Sequence, residues 1–446
     1  MAHTDHVNLS QALSIVNRPL NVQGHSDGVR AKTVNMVTGP TGPHLAEVPK
    51  LDGMFGIRAV DVLLRLATAT RPRYQVDVLD MQLHWGLLRY LGFFDRSFDG
   101  SSRMRLSDAG RRIPGNQRRV TSEEVGIGFA VLLAETWMAT AGGSGVTRTV
   151  DVDVALQDET IVAGGQVKKV KKAGTKRPDY LLIADIPGRP GAVRIAVLEC
   201  KGTKTPGYFV QQLSAAAHQL HGLTVDGRRP TGLAVSTLLG RPPVAFYALE
   251  SPRGPRPTYG EEHLRDVDMI MEPSPDEEVP EFVPAADLDV DLSDYDLDPG
   301  NYEIDVSQGT VDAGNLAVAA LQASWASIAD MAGNDGAFRR WASGPMLRRL
   351  ERQQSAQRER VTISLRNGLD VRGLRNVMSL PGGQLEVVLG VESGVDAALD
   401  GNDPRRILAA QQQLSDVRRQ IPELRRTGDQ VESVNSDGSA LVLRPL

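Results

Sequence analysis

Residues 192–201 read AVRIAVLECK, an apolar run that ends in a Glu-Cys-Lys triplet. Residues 176–184 read KRPDYLLIA, a second apolar run that contains the dipeptide Pro178-Asp179. The segment between the two runs, DIPGRPG, is dense in the residues that reverse a chain. The sequence therefore predicts a β-hairpin of two largely buried strands, with charged residues placed at one end.

The register of this hairpin decides which side chains meet. If the reversal centres on Arg189, the numbers of paired residues sum to 378, and Asp179 lies opposite Glu199, with Cβ atoms about 5 Å apart. Lys201 projects from the same face as Glu199, about 6.6 Å further along the strand. Cys200 points to the opposite face as a small buried hydrophobe, although its backbone carbonyl is a further candidate metal ligand.

Two opposed carboxylates repel each other unless a cation lies between them. Mg²⁺ prefers oxygen ligands and is usually held by one or two carboxylates together with substrate phosphate. Such an ion polarises a scissile phosphate and lowers the pKa of a bound water, and a neighbouring lysine stabilises charge on phosphate oxygen. The alternative is a plain group of strand-end charges in which Lys201 is only a salt-bridge partner.

The residues Pro178-Asp179 and Glu199-Cys200-Lys201 resemble the two halves of the motif of the PD-(D/E)xK nuclease superfamily. The resemblance extends from about residue 121 to residue 239 and includes a helix before the hairpin, another after it and a further apolar strand. It implies a restriction-endonuclease-like fold, an α+β or α/β mixed sheet flanked by helices. It also implies that Asp179 and Glu199 bind Mg²⁺, with Mn²⁺ as a substitute, and that Lys201 is the catalytic lysine.

The helix before the hairpin offers another acidic residue. The apolar stretch from Val125 to Met138 is preceded by Ser122, a suitable N-cap. Superfamily members often supply an acidic ligand from this helix, and Glu124 is the preferred candidate, with Glu123 as its substitute. Alternatively, both glutamates only complement the helix dipole.

The helix after the triplet carries two glutamines. Residues 202–207 predict a loop, and a helix is expected from about Tyr208 to Leu220. Several superfamily branches place a glutamine here, facing the metal site or the DNA backbone. Gln211 and Gln212 are adjacent and point about 100° apart, so at most one faces the site. Gln212 is the favoured catalytic-site candidate, against solvated helix surface.

Composition is that of a globular chain of 446 residues, long enough for about three domains. The single cysteine excludes an internal disulfide framework and fits a reducing compartment. Neither a secretory signal nor an apolar run of transmembrane length is visible, and no Walker A loop is present. A cytoplasmic protein without a membrane partner is expected.

Charge is segregated along the chain. Residues 261–305 contain 17 acidic residues against one arginine, whereas the rest holds 49 basic and 38 acidic residues, a net charge of +11. Six basic residues precede Asp179 closely, and phosphate contacts of this kind provide affinity for nucleic acid; a solvated hairpin tip is the alternative. The acidic, Pro-containing tract is expected to be a linker, or, as a sharper hypothesis, a segment that occupies the DNA groove and inhibits the enzyme.

Five segments are predicted. They are an irregular N-terminal segment (1–50), a helical and possibly winged-helix domain (51–114), the nuclease domain (115–250), the acidic linker (251–312) and a C-terminal α+β domain (313–446) for DNA engagement or subunit contact.

The predicted function is that of a Mg²⁺-dependent DNA endonuclease in restriction or antiphage defence. The expected partners are DNA and either a second copy of the chain, in a homodimer, or a defence-system protein. A repair or recombination nuclease for branched or damaged DNA is one alternative. Another is a catalytically silent fold that serves as a DNA-binding or scaffold module. The setting rests on analogy with other proteins of this kind.

Overall fold

A computed structural model describes fourteen parts of the chain: residues 8–70, 89–96, 102–140, 145–156, 177–187, 192–223, 225, 229–240, 243–251, 258–259, 313–342, 360–380, 383–420 and 430–446. Within these ranges, none of the helices combines the length and the apolar character needed to span a membrane.

The first part of the chain supplies the elements around the predicted hairpin. In order they are α1 (Leu9–Asn17), β1 (Pro19–His25), α2 (Gly28–Thr38), β2 (Ala46–Glu47), a 3₁₀ turn (Pro49–Leu51), β3 (Gly53–Arg58), α3 (Ala59–Ala69), β4 (Phe94–Arg96), β5 (Met104–Leu106), α4 (Asp108–Arg111), α5 (Gly115–Thr140), β6 (Thr147–Asp151), β7 (Tyr180–Asp185), β8 (Val193–Thr203), α6 (Phe209–Leu220), β9 (Gly232–Leu238), β10 (Ala245–Glu250) and β11 (Thr258–Tyr259).

The last part of the chain is also mixed. It contains α7 (Ala313–Met331), α8 (Asp335–Trp341), β12 (Arg360–Ser364), β13 (Asp370–Leu380), β14 (Gly383–Glu392), α9 (Ser393–Leu399), α10 (Pro404–Gln420), β15 (Val431–Val434) and β16 (Ser439–Pro445).

A nine-stranded mixed sheet is the largest described element. Its strand order is β3-β1-β10-β9-β8-β7-β6, with β2 beside β10 and β11 beside β8. The pairs β1/β10 and β8/β9 are parallel. α5 contacts one face of β8 at Gly202, and α6 packs on the other face through Leu220. Because both faces are covered, β7 and β8 are buried at nearly every position rather than at alternate ones.

The hairpin has the predicted register. Tyr180 pairs with Leu198 and Asp185 with Val193, so paired numbers sum to 378. β8 continues past the start of β7 as far as Thr203, and its only partner there among the described residues is β9. This part of β8 lies at the position where Asp179 enters β7.

The helix before the hairpin begins earlier than predicted. α5 starts at Gly115, so Ser122 lies inside the helix and is not its N-cap. The Ser122 hydroxyl donates to the Arg118 carbonyl, 2.7 Å away, which is how a serine is accommodated in a helix interior. Gly126 and Gly202 let α5 approach β8 closely, since a Cβ on Gly202 would lie 1.7 Å from the Ser122 carbonyl oxygen.

The prediction of an irregular segment before residue 51 is wrong for its described part. Residues 8–50 form α1, β1, α2 and β2, and β1 lies inside the large sheet between β3 and β10. Buried residues alternate along β1, among them Leu20 and Val22. That period of two was present in the sequence, but its partner β10 lies more than 200 residues away and gave no local signal.

The predicted 51–114 domain is not a separate unit. Its helix Ala59–Ala69 and its strand pair β4/β5 are present, but β3 forms the edge of the large sheet. α3 packs on α5, where a Cβ on Gly128 would lie 2.5 Å from the Val62 carbonyl oxygen. Apolar residues also recur at helical spacing over residues 81–92, but only residues 89–92 are described, and they form turns.

The C-terminal part is an α+β region, as predicted. Its five strands pair antiparallel in the order β12-β13-β14-β16-β15, and buried residues of both sheets belong to one hydrophobic core. Arg148 on β6 is fully buried and bonds Asp185 at 2.6 Å and Gln411 of α10 at 2.5 Å. Polar side chains thus also join the two regions.

Two predicted features lie outside the described residues. They are the acidic tract 261–305 and five of the six basic residues before Asp179, namely Lys168, Lys169, Lys171, Lys172 and Lys176; the sixth, Arg177, is described and forms a salt bridge with Asp153. At the start of the predicted linker, Thr258 pairs with Arg194 of β8, so this point belongs to the sheet.

Candidate active site

Three predicted site residues converge where β8 runs past the start of β7. The backbone N–H of Asp179 donates to Glu199 Oε2 at 3.1 Å, and the backbone N–H of Cys200 donates to Asp179 Oδ2 at 2.8 Å. Lys201 Nζ donates to Glu199 Oε1. Each carboxylate is therefore fixed by the backbone of the opposite strand, and the ammonium group lies on the same face as predicted.

Burial is unequal across this group. Glu199 is completely buried, whereas 24 % of the Lys201 side chain is exposed. The Cys200 thiol is buried on the opposite face, and burial raises its pKa well above the usual value. It is thus a core thiol rather than a reactive one. Its backbone N–H faces Asp179, and the N–H and C=O of one strand residue point the same way, so the carbonyl faces the site as well.

The electrostatics of the site show an excess of negative charge. Burial, reinforced by Asp179 and opposed by Lys201, raises the pKa of Glu199 to about 8. Burial also raises the pKa of Asp179, against the opposing hydrogen bond from Cys200. Burial alone would lower the pKa of Lys201, but Glu199 and Asp179 outweigh it, so the net shift is upward. One lysine does not neutralise both half-buried Asp179 and fully buried Glu199, and burial together with Asp179 disfavours the charged form of Glu199.

Gln212 faces the sheet, whereas Gln211 is exposed. The Gln212 Nε2 donates to the Gly202 carbonyl at 3.0 Å, and its Oε1 accepts from Ser236 Oγ at 2.7 Å. Gln212 therefore fixes the end of β8 directly beyond Lys201. No hydrogen bond between Gln212 and either carboxylate is present within the described chain, so this glutamine positions the strand that carries the site.

Glu124 is not brought to the carboxylate pair. Its carboxylate accepts from the Tyr90 hydroxyl and lies 3.2 Å from Arg89 Nη1. The helical face with Glu124 also carries Glu135, which pairs with Arg65 of α3. The face of α5 that touches β8 is instead that of Gly126. Glu123, the substitute, is exposed. The prediction that Glu124 of α5 joins Asp179 and Glu199 as a metal ligand is therefore wrong.

The donor set present suits a hard divalent ion with few protein ligands. Among the residues that the structure describes, no cluster of three or more His, Cys, Asp or Glu side chains could hold a metal. Asp179 and Glu199 supply one carboxylate group each, and Cys200 supplies one backbone carbonyl oxygen. Mg²⁺ is commonly bound by one or two carboxylates with water and substrate phosphate completing the shell, so the residues fit it.

The structure adds residues that sequence analysis missed. Lys201 pairs with Ser236 of β9, Ser236 with Tyr247 of β10, and Tyr247 with His25 of β1. These four residues form one row across the sheet, on the face covered by α6. Nothing near Lys201 in the sequence indicates this row, because it depends on pairings between distant strands.

Comparison with protein-family models, with curated proteins and with solved structures gives no match.

Proposed function

We infer that this chain is a Mg²⁺-dependent nuclease that hydrolyses phosphodiester bonds of DNA, as an endonuclease. The observation that carries this proposal is the pair of carboxylates, half-buried Asp179 and fully buried Glu199, with Lys201 on the same face. A buried ion-pair network for stability alone would be expected to balance its charges, since an uncompensated buried charge is costly. Here one carboxylate is in excess.

The surrounding architecture supports the same proposal. β6 to β9 form a mixed sheet with α5 on one face and α6 on the other. The site lies where β7 begins, beside the part of β8 whose only partner among the described residues is β9. This arrangement agrees with a restriction-endonuclease-like core, onto which β10, β1 and β3 extend the sheet.

The chemistry assigns a role to each residue. Asp179, Glu199 and the Cys200 carbonyl would hold Mg²⁺, which when bound polarises the scissile phosphate and acidifies a water. The partly exposed Lys201 ammonium, which contacts Glu199, would orient the attacking water and stabilise charge on phosphate oxygen. The water oxygen would bond to phosphorus as the opposite P–O bond breaks, with one water proton released to solvent and one proton taken up by the leaving oxygen. Gln212 would hold the strand that carries Lys201.

Cleavage of a supercoiled plasmid tests the proposal. The full-length protein with Mg²⁺ should relax or linearise the plasmid, and Asp179→Asn should abolish this activity. Glu123→Gln is the matched control, because it removes an exposed carboxylate from the neighbouring helix. Activity that survives Asp179→Asn would reject the site. Failure of the protein to cleave DNA with either Mg²⁺ or Mn²⁺ would contradict the proposed nuclease activity.

The biological setting is a second part of the proposal. We propose restriction or antiphage defence, in which nucleases carry added recognition regions such as the C-terminal α+β region here. A phage-plating assay on cells that express either wild type or Asp179→Asn tests the defence role. Equal plating efficiency on the two strains would contradict the defence role without contradicting the nuclease activity.

A further inference from the structure

We propose that Arg112 and Arg119, at the corner between α4 and α5, act together with Lys204 to bind the phosphate backbone of duplex DNA beside the cleavage site. These three residues are called the basic corner. The inference rests on the proposed nuclease function and deepens it, because it assigns the surface on which the substrate lies and predicts that this surface does not read base sequence.

The basic corner belongs to a segment with a local excess of positive charge. Residues 102–122 contain six arginines and one acidic residue, a net charge of +5. The acidic residue, Asp108, is already paired with Arg111, and the first turn of α5 contains no acidic residue. Arg112 and Arg119 are exposed, and within the described parts of the chain neither side chain forms a hydrogen bond or a salt bridge. Their charges therefore face solvent without a protein counter-charge.

A neighbouring arginine fixes the conformation of the corner. Arg118 Nε donates to the Ile113 carbonyl at 3.0 Å, and Arg118 Nη2 donates to the Arg111 carbonyl at 2.7 Å. These two bonds tie the first turn of α5 to the end of α4. Arg118 thus closes the turn, while Arg112 and Arg119 on either side of it remain at the surface.

α5 places the basic corner at the end of β8. A Cβ on Gly126 would lie 2.9 Å from the Lys201 carbonyl oxygen, so α5 passes the site strand at this point. Arg119 lies seven residues earlier on the same helical face, about 10 Å along the helix axis. Lys204 Nζ lies 3.4 Å from the Gly115 carbonyl oxygen in the first turn of α5. The basic corner therefore lies beyond the end of the strand that carries Lys201.

The chemistry of the basic corner fits a polyphosphate backbone. The planar guanidinium group of an arginine matches the geometry of a phosphate group and bonds it at two positions. Duplex DNA carries one negative charge per about 1.7 Å of its axis, so a span of about 10 Å covers roughly six phosphates. The Lys201 side chain projects from the face of β8 opposite α5, so a backbone that contacts both groups crosses the end of this strand.

The salt dependence of DNA binding tests the basic corner without requiring catalysis. Fluorescence anisotropy with a labelled duplex of about 20 base pairs, in EDTA and between about 50 and 200 mM KCl, gives the slope of log K against log salt concentration. Arg112→Gln and Arg119→Gln should each lower the magnitude of this slope by about 1. Both variants should weaken binding equally for two duplexes of unrelated sequence, because phosphate contacts carry no sequence information. Arg119→Lys should keep the slope, because it keeps the charge.

Arg229→Gln is the matched control. Arg229 is also exposed, but it precedes β9, whose first residue, Gly232, pairs with Val197 of β8. It therefore lies toward the end of the strands opposite Lys204, and its loss should leave the slope unchanged. Because Arg112 and Arg119 are exposed, all variants should melt at the temperature of wild type.

Three outcomes would overturn the inference. One is an equal slope for wild type, Arg112→Gln and Arg119→Gln. Another is an equal loss of slope in Arg229→Gln, which would indicate a general effect of charge. The third is a wild type that does not bind duplex DNA.

A plasmid-cleavage assay separates this inference from the nuclease proposal. If DNA is not cut with Mg²⁺ or Mn²⁺ but binding depends on Arg112 and Arg119, the basic corner is a DNA-binding surface and the enzyme is contradicted. If an Asp179-dependent activity cuts DNA and both variants keep the slope of wild type, the enzyme stands and the basic corner is contradicted.

Discussion

Buried carboxylates occur in both sheets, but their partners differ. Asp396, in the C-terminal region, is completely buried and lies 2.5 Å from Arg360, 3.5 Å from Arg372 and 3.0 Å from Asn334. Glu199 is equally buried, yet its only cationic partner among the described residues is Lys201, which it shares with Asp179.

The difference separates a structural acid from a functional one. Two arginines and an amide satisfy Asp396, as expected of a buried charge that stabilises a fold. Glu386 follows the same pattern with Arg375 at 2.6 Å and with Arg444. At Glu199 two carboxylates share one lysine, and burial, reinforced by Asp179, raises the pKa of Glu199. A divalent cation would remove that imbalance.

The largest expected effect is on stability and concerns Asp396, whose buried charge is matched by arginines. Asp396→Ala leaves Arg360 without its buried partner, and such a loss costs about 3–5 kcal/mol of stability. Chemical denaturation monitored by tryptophan fluorescence measures it, with Asp416→Ala as an exposed control. A change below about 1 kcal/mol would mean that Asp396 is not the structural acid described here.

Lys201→Met is expected to act on catalysis and not on the fold. Loss of one donor that stabilises transition-state charge typically lowers kcat by about 10²–10³. The melting temperature should fall only slightly, because buried Glu199, whose pKa is raised to about 8, can take up a proton when its lysine partner is removed. Single-turnover cleavage measures the rate. A strongly lowered melting temperature with an unchanged rate would make Lys201 a structural partner of Glu199.

The third expectation is a pH dependence of stability in the metal-free protein. The pKa of Glu199 is about 8 in the folded chain, against a usual value of 4.5. Between these values the folded state holds a proton that the unfolded state has lost, so stability falls as pH rises from about 4.5 to about 8. Below this window the contribution of Glu199 is fully present. Urea denaturation in EDTA of wild type and Glu199→Gln isolates this dependence, and parallel curves would contradict it.

The smallest expected effect is stabilisation by a bound ion. Mn²⁺ at ten times its dissociation constant should stabilise wild type by about 1.4 kcal/mol. The rise in melting temperature should vanish in Asp179→Asn and persist in Glu123→Gln. Stabilisation that is equal in all three proteins would place the ion elsewhere and remove the contrast between Glu199 and Asp396.

Local patterns predicted the central hairpin well. The turn residues around Arg189 and the apolar runs fixed its register, since a slip by one residue would turn every side chain to the other face. The same holds for the helix after the triplet, expected from Tyr208 and observed from Phe209. For Glu124 the sequence favoured an acidic ligand, but the position of α5 against β8 is set by Gly126 and Gly202, whose small size gave no signal for the orientation of the helix.

The sequence by itself determined the pairing of Asp179 with Glu199, because strand alternation and a short turn are local properties. Tertiary structure alone decided the burial of Glu199, the direction of Glu124 and the row from Lys201 to His25. These depend on helix packing and on the parallel pairing of β1 with β10. Such contacts join residues far apart in the chain, and their free energy comes from surfaces that meet only when the whole sheet has formed.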